Sequence, residues 1–207
     1  MKRRLQELLS RRPARRISDS RRVPAAVLLP LYLEDGRHHL LFIQRTDRVR
    51  DHKGQISFPG GAWEDDDGTM QATALREASE EIGLAAGDVE VLGALDEILT
   101  IGSNYLISPF VGVFPWPYDL RVDRWETEEA FGVPLAALLD PACLREGRDV
   151  LDGQPIPSYF YHYEDRVIWG ATARILHQFL GIVATFPAVR PGDEPADEPP
   201  AAETVEP

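Results

Sequence analysis

The chain is poor in the residues that mark several classes of protein. A single cysteine, Cys143, stands among 207 residues. It cannot form an internal disulfide, which fits a reducing, cytoplasmic setting and the role of a small buried hydrophobe. No stretch approaches the ~18 consecutive apolar residues of a membrane-spanning helix, so no membrane partner is expected. Cysteine and histidine form no cluster at zinc-ligand spacing. Lysine is nearly absent: Lys2 and Lys53 are the only two, and 22 Lys+Arg face 34 Asp+Glu for a net charge of -12. This deficit of cations excludes a general nucleic-acid coat, because neutralising phosphates needs surplus Lys and Arg. What is present, 43% hydrophobic and 27% charged residues, is the composition of a globular protein with one sizeable core.

The charge divides the chain into three parts. Residues 1–22 hold nine Lys/Arg and two acids, a basic N-terminal arm with Leu5, Leu8 and Leu9 at helical spacing before Pro13. It is expected to pack only lightly on the domain; a docking arm for an anionic partner and a transit-like peptide are the other readings. Residues 187–207 form a proline-rich acidic tail, expected to be disordered because its few apolar groups cannot offset the entropy of ordering. The domain is therefore 23–186, acidic in its own right.

Within it, 23–33 reads as a buried strand, Glu34-Asp35-Gly36 as a turn and 38–44 as the hairpin partner. Further strands are expected at 89–95 and 109–114, and helices at 70–81 and 167–183. Strands before and between helices, without regular alternation, point to an α/β fold with a mixed sheet covered by helices.

Arg76-Glu77-Ala78-Ser79-Glu80-Glu81-Ile82-Gly83-Leu84 carries the strongest chemical signal. At about 100° per residue, Glu77, Glu80 and Glu81 share one helix face while Leu75, Ala78 and Ile82 share the opposite one. Like charges at these spacings repel, and acids in a last turn oppose the helix dipole. A bound cation would compensate, and an all-oxygen donor set suits Mg²⁺ or Mn²⁺. Gly83 is suited to a left-handed helix end with Leu84 packing back. Upstream, Phe58-Pro59-Gly60-Gly61 leads into the acidic loop Glu64-Asp65-Asp66-Asp67-Gly68; its paired glycines allow close backbone approach to a ligand.

Gly61, the acidic loop and Arg76-Glu77-x-x-Glu80-Glu81-x-Gly83-Leu84 resemble the Nudix box, G-x5-E-x7-R-E-U-x-E-E-x-G-U with U bulky and apolar. Three departures stand out: Asp67 occupies the place of the first Glu, the stretch from Gly61 to Arg76 is one residue longer, and Ala78 fills the first U position. A second segment, Arg45-Thr46-x3-Arg50-x3-Gly54-x3-Phe58-Pro59-Gly60-Gly61, resembles the signature that precedes this box in coenzyme A pyrophosphatases. Val133-Pro134-Leu135 and the segment from Ile168 to Leu176 are similar to the end of the same subfamily, so the resemblance covers about residues 23–185.

The resemblance implies a Nudix-type α/β/α sandwich with a mixed β-sheet, and hydrolysis of the pyrophosphate of coenzyme A to 4'-phosphopantetheine and 3',5'-ADP. The expected metal ligands are Glu77 and Glu81, with Glu80 joining when substrate brings further metal, and the Gly61 carbonyl. Arg76 is expected to hold the Glu77 carboxylate. Glu126 is the candidate general base, with Glu97 and Glu128 as rivals. Arg45, Arg50 and Lys53 are candidates for binding the 3'-phosphate or the diphosphate, with His52 between them as a structural residue or a phosphate donor. Phe58 and Tyr105 are candidates for lining the adenine or pantetheine pocket, with core packing the other reading for Phe58; Trp169 is expected in the helix core. Two other readings stay open: hydrolysis of another nucleoside diphosphate derivative (ADP-ribose, NADH or a diadenosine polyphosphate), and a catalytically silent binding module. A small-molecule partner is expected, nucleic acid is not, and a homodimer is left open.

Overall fold

The computed structural model describes residues 1–46 and 54–186. In chain order its elements are α1 (Lys2–Arg11), β1 (Val23–Glu34), β2 (Arg37–Arg45), β3 (Ile56–Ser57), β4 (Gly60–Ala62) and α2 (Met70–Ile82). There follow β5 (Glu90–Ala94), β6 (Ile98–Leu99), β7 (Tyr105–Val113), β8 (Thr127–Pro134), α3 (Leu135–Leu138), β9 (Leu144–Leu151), β10 (Gln154–Tyr163), β11 (Arg166–Ile168) and α4 (Gly170–Val183).

The central strand β1 is apolar nearly throughout because both of its faces are covered. Leu29 and Leu31, with Leu40 and Phe42 of β2, face a core shared with α1 and α4. Leu28 and Tyr32, with Leu41 and Ile43 of β2, face a second core under α2. Alternation with period two thus assigns neighbouring residues to opposite cores, and unbroken hydrophobicity marks a strand buried on both sides. The sheet runs β3-β2-β1-β7-β5, with β4 on β1, β6 on β7 and β8 on β2. It is mixed: β1 lies parallel to β7, from Val23 opposite Tyr105 to Leu31 opposite Val113, and antiparallel to β2 and β4. Pro30, which has no N–H to donate, falls between the end of β4 pairing at Val27 and the start of β2 pairing at Leu31. The hairpin turn places Asp35 and Gly36 at positive φ, 49° and 74°, as the Asp-Gly signal requires.

The mixed α/β expectation holds, with differences in detail. The strand expected at 109–114 begins earlier, as β7 from Tyr105. The helix expected from 167 begins at Gly170, since Val167 and Ile168 belong to β11, which pairs with β10. Strands β9, β10 and β11 make a second, antiparallel sheet.

The basic segment at the start of the chain is docked more firmly than its composition suggests. Leu5 is fully buried and Leu9 nearly so, both in the core beneath α4. Glu97 accepts hydrogen bonds from the Arg16 guanidinium, the Ile17 N–H and the Ser108 hydroxyl. Burial alone would raise the Glu97 pKa; these donors outweigh it and hold the carboxyl below its ordinary value. Leu5→Ala is expected to cost about 2–5 kcal/mol in urea denaturation, the range for emptying a buried leucine site.

Candidate active site

Helix α2 sets the site. Thr69 caps its start by accepting a hydrogen bond from the Ala72 N–H at 3.1 Å. Gly83 ends it in the left-handed conformation, its N–H bonded to the Ser79 carbonyl, while the Leu84 N–H reaches the Ala78 carbonyl. Ala74, Ala78 and Ile82 are buried against the sheet. The helix is thereby fixed in rotation, and Glu77 and Glu81 are turned toward the Phe58–Gly61 segment.

Strand β4 brings that segment alongside. Gly61 pairs with Ala26 and Gly60 with Val27. The Gly60 N–H donates to the Glu81 carboxylate at 3.0 Å. Glu77 lies directly over Gly61: a Cβ there would stand 2.5 Å from Glu77 Cδ and 2.7 Å from Oε2. The paired glycines therefore serve the close approach anticipated from sequence, here between backbone and carboxylates.

Two arginines bracket the acids. Arg76 Nη1 lies 3.0 Å from Glu77 Oε1 and 2.8 Å from Glu80 Oε2, so it pairs with both carboxylates. Its Nε and Nη2 both donate to Asp67, and Nη2 also donates to the Ala62 carbonyl. Asp67 in turn accepts from the Glu64 N–H and the Thr73 hydroxyl. The Arg76 guanidinium and these donors hold the Asp67 carboxyl down at about 2. This loop acid is the anchor of Arg76, a role that the shifted spacing of the motif had obscured. Arg45 faces the same wall from β2, with Nη1 3.3 Å from Glu81 and Nη2 3.6 Å from Glu126.

Burial pushes the Glu81 carboxyl up to about 8, against the Gly60 N–H and Arg45, which favour its charge. Burial also raises Glu77, again against Arg76. Among the described residues, no three His, Cys, Asp or Glu side chains are gathered closely enough to hold an ion as they stand. Each carboxylate is instead turned to an arginine. The donor set still fits a hard divalent cation: oxygen ligands only, two of them desolvated at a cost their arginines do not cover, beside a glycine that leaves room.

A cavity of about 900 Å³ opens on this wall. Among its lining residues are Arg45, Gly61, Arg76, Glu77, Glu80, Glu81, Tyr105 and Glu126, so most of the expected site residues meet in one space. Arg50, His52 and Lys53 lie outside the described residues. Of the rivals to Glu126, Glu97 is committed to Arg16 and its neighbours, and Glu128 is exposed and does not line the cavity. Phe58 is a core residue, stacked on Phe42 with ring centroids 4.7 Å apart. Trp169 is not: it precedes α4, is 45% exposed and lines the cavity together with Ile101 and Trp125. The expectation of a core Trp169 rests on a helix beginning at 167; with α4 beginning at Gly170, Trp169 lies outside the helix.

Comparison with known proteins agrees with this geometry. Residues 21–152 match the NUDIX domain model. The chain is 39% identical over 166 residues to the uncharacterized Nudix hydrolase NudL of Photorhabdus laumondii, a match covering 80% of this chain and 87% of the relative. In fold it is similar to RenU, a Nudix hydrolase from M. smegmatis, with TM-score 0.54 and 20% identity over 82% of this chain and 91% of that one. It is also similar to a C. elegans Ap4A hydrolase, with TM-score 0.52 and 16% identity over 79% and 99% of the two chains. With the domain match spanning more than half its length and the glutamates of α2 set beside Gly61, the chain belongs to the Nudix hydrolase family.

Proposed function

We propose that the protein is a metal-dependent coenzyme A diphosphatase, cleaving the substrate's pyrophosphate with water to give 4'-phosphopantetheine and 3',5'-ADP. The observation that carries this reading is the composition of the cavity. It joins Arg45 and Gly60-Gly61 of the upstream signature, the glutamate wall of α2, and the apolar surfaces of Ile101, Tyr105 and Trp169. Such a space suits a long substrate that is anionic at its centre and aromatic or apolar at its ends.

Nudix hydrolases generally use divalent metal ions, and in this reading Glu77, Glu81, the Gly61 carbonyl and Glu80 are the residues that would hold Mg²⁺ or Mn²⁺. A metal bound there supplies charge neutralisation for the phosphates and lowers the pKa of its water. Asp67 fixes Arg76, and Arg76 fixes Glu77, so the carboxylate is oriented before substrate arrives. Glu126, tethered by Arg45 on the same wall, takes the proton of the attacking water at its carboxylate. Arg45, placed between Glu81 and Glu126, orients both acids and is also within the cavity to meet the diphosphate.

The test is a substrate panel of coenzyme A, ADP-ribose, NADH and diadenosine polyphosphates, assayed with Mg²⁺ and with Mn²⁺, with products separated by chromatography. Coenzyme A or an acyl derivative is expected to give the highest kcat/KM and the two named products. Turnover of ADP-ribose about a hundredfold faster would assign the protein to another substrate.

A further inference from the structure

Three guanidinium groups line the cavity among its described residues, those of Arg45, Arg76 and Arg174. Two are engaged by acids: Arg76 by Asp67, Glu77 and Glu80, and Arg45 by Glu81 and Glu126. Arg174 differs. Its Nη1 donates to the Leu99 carbonyl at 2.8 Å, and among the described residues no carboxylate lies within ion-pair distance of it. Asp149, also on the cavity lining, acts on it only from farther away. Burial pulls the guanidinium below its ordinary pKa, and Tyr159 and Asp149, which favour the charge, offset that cost only in part. An anion entering the cavity would offset it.

The placement of Arg174 separates that anion from the bond that breaks. Arg174 lies on α4, which covers the sheet face opposite α2 and its glutamates. A substrate whose diphosphate sits on the glutamate wall must therefore reach Arg174 with another group. The Leu99 carbonyl holds one arm of the planar fork and leaves its other N–H groups without a partner among the described residues, an arrangement suited to phosphate oxygens.

We propose that Arg174 binds a phosphate monoester of the substrate that is distinct from the cleaved diphosphate; on coenzyme A this group is the 3'-phosphate. The proposal rests on the coenzyme A reading and deepens it, since it names a residue that distinguishes coenzyme A from dinucleotides and sugar nucleotides lacking that phosphate.

The experiment compares coenzyme A with 3'-dephospho-coenzyme A in the parent protein, Arg174→Met and Arg174→Lys. The parent is expected to favour coenzyme A through a lower KM. In Arg174→Met the ratio of the two kcat/KM values is expected to fall about tenfold or more, and Lys is expected to restore part of it. A ratio that stays at the parent value overturns the proposal, as does an equal fall for both substrates. Binding provides a readout without turnover: calorimetric titration should show 3',5'-ADP bound more tightly than AMP by the parent and not by Arg174→Met. Equal affinities in the parent overturn the Arg174 assignment by themselves. Tight 3',5'-ADP binding that depends on Arg174, without cleavage of coenzyme A, would overturn the proposed reaction and leave the subsite standing.

Discussion

Glu77→Gln is expected to lower kcat/KM about a thousandfold, some 4 kcal/mol of transition-state stabilisation, while the chain stays folded. The substitution keeps the size of the side chain and an oxygen able to accept from Arg76 Nη1, now 3.0 Å away. It removes the negative charge that a hard cation requires. Glu81→Gln should act in the same way and to a similar extent, and the double variant should lose little more than either single one, because both acids serve one function. Stability should move the other way at Glu81. Burial raises its folded pKa to about 8, so the folded state favours the proton, and stability falls as the carboxyl ionises between its ordinary value and that pH. Gln does not ionise and removes this cost in the metal-free protein. Melting followed by circular dichroism at neutral pH, beside the kinetic assay, separates the two effects. Turnover within about tenfold of the parent for both variants would remove these glutamates from the catalytic site.

Gly61→Ala is expected to reduce kcat/KM about a hundredfold or more with under about 1 kcal/mol of lost stability. The reason lies in what the new methyl group would meet. At Gly60 it would meet β1 itself, 2.6 Å from Val27 Cγ1 and 2.7 Å from Val27 Cα, with the backbone at φ 159°. At Gly61 its three nearest neighbours would all be atoms at the end of the Glu77 side chain, with Cδ 2.5 Å away. A long side chain rotates aside at small energetic cost, so the fold survives; the carboxylate, however, leaves the place where Arg76 holds it. Gly60→Ala should accordingly lose folded protein, and Gly61→Ala should lose activity while remaining folded. Urea denaturation and kinetics on the pair decide this. Equal stability losses would mean that the two glycines serve the backbone alone.

Much of the frame was legible from residue pattern because its signals are local. The apolar run of β1, Asp35-Gly36 and Gly83 each dictate a nearby conformation, and the structure realises all three. The glutamate face of α2 was equally readable, since helical spacing alone puts Glu77, Glu80 and Glu81 on one side. Strands β9 and β10 escaped notice because β9 is largely exposed and charged, while the first half of β10 is interrupted by Pro155 and Pro157 and only Tyr159, Tyr161 and Tyr163 in its second half alternate toward the core. The partner of Arg76 was hidden for a different reason. Asp67 stands one residue off the expected spacing, and only the 3₁₀ turn over Asp65–Asp67, with Glu64 and Asp67 capping each other, brings its carboxylate back to the guanidinium. The engagement of Arg45 by Glu81 and Glu126 spans 36 and 81 residues of sequence, and no local pattern encodes such a contact.

The docking of α1 bears on how the chain reaches this state. Leu5 of α1 is buried in the same core as Leu176 and Phe179 of α4. The central pairing of β1 with β7 likewise joins segments about eighty residues apart. Contacts of such long sequence separation slow folding, because loop closure must precede the interactions that reward it. During synthesis the core over this sheet face cannot close until α4 has left the ribosome. Until then the apolar side of α1 and the edge of β1 lack their final cover, and transiently exposed surface of that kind is what makes partly folded chains prone to aggregate.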